Sequence, residues 1–218
     1  MRRGSAAFVC LALAACSSEP APAPSPTPSA IPTPDKPKTL VPADFAELTL
    51  GPKIDGPRGP EIESTFSLEG QKLAEVTSYV ACPDGISACK PDDLPADTVY
   101  TYVHEVTPAK GVESATLFRT ARAAAGFANL VGYDAAEAKA ALGEDGKIDV
   151  ASDNGALVWR VIGGDGWKAG ETITFYWQST LPPEGPREAY QFEADGSTAL
   201  GTGPFPPKEK PVVETPAN

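Results

Sequence analysis

Histidine is almost missing from this chain: His104 is the single one among 218 residues. A zinc site built on several histidines cannot be assembled, and any Ser-His-Asp or Cys-His arrangement must have His104 at its centre. No Gly-x-Ser-x-Gly elbow accompanies it. Positive charge is scarce as well, with 18 Lys and Arg against 29 Asp and Glu, a formal net charge of −11. So acidic a surface repels phosphate backbones and anionic headgroups, which excludes nucleic acid as a partner. Long apolar runs are also absent; the run over residues 6–15 is too short to span a bilayer. There is no internal repeat. The 41% of hydrophobic residues still suffice for one ordinary core.

Proline and glycine are abundant instead, at 24 and 20 residues, and point to long tails and many turns. The first residues carry the most specific signal. Met1-Arg2-Arg3 supplies two charges, the apolar run follows, and Leu13-Ala14-Ala15-Cys16 precedes Ser17-Ser18. A charged n-region, a short h-region and small residues before a cut make a secretory signal. The Leu-Ala-Ala-Cys ending resembles the lipobox of bacterial lipoproteins, which is cleaved just before the cysteine. That resemblance implies a signal peptide over 1–15 and a Cys16 that carries the lipid chains, palmitate among them. Ser17 at the second mature position, rather than Asp, is similar to lipoproteins sent on to the outer membrane. The expected location is therefore the cell envelope, lipid-anchored in the outer membrane and facing the periplasm.

Residues 16–38 alternate Pro with Ala, Ser and Thr, with no apolar periodicity to bury. They read as an extended, solvated linker of about 3.1 Å per residue. Of the four cysteines, Cys10 leaves with the leader and Cys16 takes lipid, so Cys82 and Cys89 remain as a pair. An even pair in an oxidising compartment reads as a disulfide, here closing a small loop around Pro83-Asp84-Gly85. Two thiolates are too few for a metal, and the spacing is not that of a Cys-x-x-Cys redox motif.

Alternating apolar and polar residues predict strands over 46–50, 62–68, 74–82, 98–107, 115–120, 156–162, 171–179 and 189–193. In the strongest, 98–107, Tyr100, Tyr102, His104 and Val106 share one face and Val99, Thr101, Val103 and Glu105 the other. His104 on a face with two tyrosines reads as a hydrogen-bonded sheet residue and not as a base. Asp134-Ala135-Ala136-Glu137 is a capping box for one helix through Leu142, with Gly143 as its C-terminal cap. A second, marginal helix is suggested over 120–127. Five prolines from Gly203 onward mark a disordered tail over 203–218.

These elements predict a mainly β fold: an antiparallel, immunoglobulin-like β-sandwich over 39–202, with one inserted short helix and disordered Pro-rich ends. The spacing is similar to immunoglobulin- and fibronectin-type domains, although Cys82 and Cys89 stand too close for an inter-sheet bridge. Candidate chemistry is thin. Oxygen donors recur in Glu144-Asp145-Gly146-Lys147-Ile148-Asp149 and Ser152-Asp153-Asn154-Gly155, but neither follows the EF-hand order, and Asn-Gly and Asp-Gly also serve hairpin turns. Trp159 and Trp177 read as core. Trp167, just past a glycine turn, and Tyr176 are the candidate ligand-binding aromatics, able to stack on a sugar ring if exposed. No catalytic residue, metal site or cofactor is assigned. The expectation is a non-enzymatic lipoprotein, membrane-attached through Cys16, that binds an envelope protein or a glycan. A carbohydrate-binding module is the first alternative and a carboxylate-based envelope hydrolase the last.

Overall fold

Alternation along the strands is resolved into two facing sheets in a computed structural model that describes residues 39–208. The expectations for the leader, Cys16, the linker and the tail beyond Lys208 lie outside the described residues. The first sheet contains β1 (Val41–Asp44), β2 (Leu50–Lys53), β3 (Ile62–Leu68), β4 (Gln71–Pro83), β5 (Tyr100–Pro108), β7 (Phe127–Tyr133) and β10 (Ile173–Ser179). Its order is β1-β7-β10-β5-β4-β2, with β3 also pairing along the long β4. The second sheet runs β12-β11-β6-β9-β8, from β6 (Ala115–Thr120), β8 (Lys147–Asp153), β9 (Ala156–Gly163), β11 (Gly185–Ala194) and β12 (Ser197–Phe205). All pairings are antiparallel except β1 with β7. The fold is thus a mainly β sandwich with one inserted α-helix.

Between the sheets the inward residues of β5 and β10 meet those of β6, β9 and β11. Phe118 is the hub: the rings of Phe66, His104, Trp159, Phe175 and Tyr190 lie with centroids 5.0 to 6.3 Å from its own. Aromatic pairs at such spacings add about 0.5–1.5 kcal/mol each beyond the area they bury. Trp159 Nε1 donates to the Gly132 carbonyl at 2.9 Å, tying the second sheet to β7 of the first. Ser64 Oγ donates to the Thr202 carbonyl at 2.7 Å and joins β3 to β12.

The helix α1 (Ala135–Leu142) starts where its cap predicts, since Asp134 Oδ1 accepts from the amides of Ala136 and Glu137. Half of the expected capping box is missing. Glu137 Oε2 accepts from the Thr174 amide at 2.7 Å instead of reaching back, and so fastens the helix to β10. Gly143, at φ 82°, ends it.

Several expectations need correction. Residues 46–50 are not a strand: Phe45–Glu47 form a 3-10 turn capped by Asp44, flanked by the short β1 and β2. No helix covers 120–127; residues 121–126 are the loop between β6 and β7. The donor-rich 147–153 segment is strand β8, with Asp149 opposite Arg160 and Asp153 bonded to Arg119. The folded part also passes the boundary expected at 202, because β12 continues to Phe205. Phe205 packs on Trp177 and Tyr190, and Tyr190 Oη donates to the Pro204 carbonyl at 2.8 Å. Twelve strands are found among the described residues, more than the sequence pattern suggests. Two of the additional ones hang on hairpins at Asn154-Gly155 and Asp195-Gly196, where both turn residues have positive φ, as the tight hairpin connection requires.

Candidate functional site

His104 is fully buried, so the only imidazole of the chain has no access to a substrate. Its Nδ1 shares a hydrogen bond of 2.9 Å with Ser78 Oγ on β4, and its ring lies 4.2 Å from that of Tyr190. Burial pushes its pKa down to about 3, which keeps the ring neutral. Nε2 has no hydrogen-bond partner among the described residues. This is a sheet residue locked into the core, as its place on the face of Tyr100 and Tyr102 suggests.

The candidate ligand-binding aromatics are corrected by burial. Trp167 has no exposed surface; its ring packs on Phe175 and edge-on to Phe192, and its Nε1 donates to the Glu171 carbonyl. A backbone bridge to Ala115 pulls it inward from the glycine turn that precedes it. Tyr176 is buried too, on the other face of the first sheet, with Oη donating to the Ala43 carbonyl at 3.0 Å. Neither ring is presented for stacking on a sugar.

Cys82 and Cys89 are joined in a disulfide, with Cα atoms 5.6 Å apart and both residues buried. The bridge closes the turn at the end of β4. Nearby, Arg58 pairs with Asp92, and Tyr102 Oη donates to the Leu181 carbonyl at 2.9 Å, so that several loops are fastened together at this end of the sandwich.

The same end carries an open concavity of about 850 Å³. Four segments build it: the loop after β6, the β8–β9 turn at Gly155, the start of β11, and the chain leaving β12. Arg122, Arg187 and Lys208 stand around it with one carboxylate, Glu184, which pairs with Arg187. Ala124 and Phe205, both nearly buried, and Pro206 give it an apolar floor. The loop bearing Arg122 is pinned at the backbone: the Ala121 amide donates to the Ala189 carbonyl and the Ala124 amide to that of Gly155, both at 2.8 Å. Sequence reasoning missed these three cations. They lie in segments that only the strand order brings together, and no local spacing marks them.

A smaller concavity, of about 610 Å³, lies at the other end of β5, where Lys72 is already paired with Glu75. No protein-family model matches this chain, and no curated protein and no solved structure matches it.

Proposed function

We propose that this chain is a non-enzymatic lipoprotein of the cell envelope, anchored through Cys16, whose β-sandwich binds a protein or another envelope component. The observation that carries the reading is the Cys82–Cys89 disulfide, which belongs to an oxidising compartment and so agrees with the export implied by Leu13-Ala14-Ala15-Cys16. The burial of His104 supports a binding role, since an imidazole held neutral inside the core cannot exchange protons with a substrate. Attachment follows from the lipid, at about 0.8 kcal/mol per buried CH₂, with several chains making it effectively permanent. The sugar-stacking alternative is not carried forward, because Trp167 and Tyr176 are both core residues.

Fractionation of cells expressing the wild type and Cys16→Ala tests the anchor. The wild type is expected in the membrane fraction and labelled by palmitate, the variant unlabelled and larger by its uncleaved leader. Equal labelling and migration would overturn the lipoprotein reading. Pull-down from membranes with the wild-type protein tests the binding role, which fails if nothing is retained above a blank resin.

A further inference from the structure

Six of the cations among the described residues pair with a carboxylate: Lys53 with Glu61, Arg58 with Asp92, Lys72 with Glu75, Arg119 with Asp153, Lys139 with Glu144 and Arg187 with Glu184. The concavity at the end of β12 differs in gathering three cations on one hollow. Three cations converge on it with a single carboxylate, and Arg122 and Lys208 form no ion pair among the described residues. In a chain of net charge −11 this is a local inversion of sign.

Glu184 shows what chemistry the site accepts, because a carboxylate already lies on Arg187. A guanidinium takes a carboxylate through paired N–H donors, and an ammonium adds a second point of charge. The floor of Ala124, Phe205 and Pro206 offers apolar surface beside those donors. Its volume falls in the range of sites for small ligands, with room for a few residues of extended chain. Proline and backbone-pinned loop segments are already ordered, which lowers the entropic cost of binding. A membrane surface fits less well: the cations ring a hollow and are not spread over a flat patch, and the remaining acidic surface would be repelled by anionic lipid.

We propose that this concavity binds an acidic peptide segment, its carboxylates meeting Arg122 and Lys208 and its apolar residues lying on Ala124, Phe205 and Pro206. The proposal rests on the binding role above and names the class of partner. Its test is fluorescence anisotropy of the purified full chain with the fluorescein-labelled peptide Ala-Val-Pro-Glu-Glu, beside the Gln-Gln amide of the same peptide and vesicles containing anionic lipid. Saturable binding of the acidic peptide alone is expected. The double variant Arg122→Gln/Lys208→Gln should weaken it by about tenfold or more, whereas Lys147→Gln/Lys168→Gln, the same charge change elsewhere, should leave it within about twofold. Equal binding of both peptides, no saturation, equal loss in the two double variants, or a preference for the vesicles would overturn the proposal. So would tighter peptide binding after deletion of residues 209–218, which would make the chain's own tail the occupant. If the Arg122/Lys208 variant still retains the membrane partner of the wild type while the peptide does not bind, this site is wrong and the binding role stands. A wild type that retains nothing fails the binding role itself.

Discussion

Two layers of the molecule are built on opposite faces of the same sheet, at β4, β5 and β10. Inward, Tyr102, His104, Phe175 and Trp177 face the second sheet. Outward, Tyr79, Ala81, Val103 and Tyr176 are covered by Phe45, Leu48 and Leu50, which belong to the segment that enters the domain. None of the four is more than 8% exposed, so by burial alone the outer layer is as much core as the inner one. What holds the two layers differs. The inner rings are enclosed by long ladders such as β4 with β5 and by a network of ring contacts around Phe118. The outer cover hangs on the four-residue β1, on Tyr176 Oη at the Ala43 carbonyl, and on Asp44 Oδ1, which accepts from the Ala46 and Ala135 amides. Gly132 permits even this, because a Cβ there would fall 2.0 Å from the Ala43 oxygen. Equal burial therefore does not imply equal stability. The cover should open locally at a lower cost than the domain unfolds.

The largest break in this comparison comes from the inner layer. Trp167→Ala removes a wholly buried indole from between Phe175 and Phe192 and orphans the Glu171 carbonyl. A loss of about 3–5 kcal/mol is expected, read from the midpoint of guanidinium unfolding. A loss below about 1 kcal/mol would show that the ring is not core, and would restore it as a stacking surface.

Trp167 also shows where the sequence was legible and where it was not. Alternation placed His104 and both tyrosines of β5 on one face, and Asp134 marked the helix start to the residue. The glycine turn before Trp167 suggested an exposed ring, because the bridge to Ala115 that draws it inward is a contact between distant segments. β8 escaped notice because Asp149, Ser152 and Asp153 resemble a chain of oxygen donors as much as an edge strand. β12 escaped because its glycines, proline and alanine give it little β propensity; it is held by Tyr190, Phe205 and the β11 ladder. The cavity was illegible for a like reason, since Arg122, Arg187 and Lys208 become neighbours only through the order of strands in the second sheet.

His104 gives the inner layer a stability that depends on pH below neutrality. In the native state its pKa is about 3, against 6.5 when unperturbed, and burial is the cause. Between these values the unfolded chain binds a proton that the native chain refuses. Stability is therefore complete above about pH 6.5 and falls as pH drops towards 3. At pH 5 the loss from this one group should be about 2 kcal/mol. Urea unfolding at pH 7 and pH 5 reads it, with His104→Gln as the reference that keeps the carboxylate contributions and removes the imidazole's. The wild type should lose more between the two pH values than the variant. An equal loss in both would mean that the ring is protonated or solvated in the native state.

The smallest effect is the one that separates the layers most cleanly. Tyr176→Phe keeps the ring against Phe45 and deletes only the hydroxyl that donates to the Ala43 carbonyl. One such bond contributes about 0.5–1.5 kcal/mol, and the ring, unlike its hydroxyl, is anchored by β10. The cost should therefore fall on the cover alone. Hydrogen exchange should quicken by about fivefold at the amides of Ala46 and Leu48, which donate to Asp44 Oδ1 and the Phe45 carbonyl, while the slow amides of β5 change by much less. A lowered cover with an unmoved core would mean that the entering segment can detach and reseat without unfolding the sandwich. If instead the β5 amides accelerate by the same factor, the two layers form one cooperative unit, and the distinction between their modes of attachment has no energetic content.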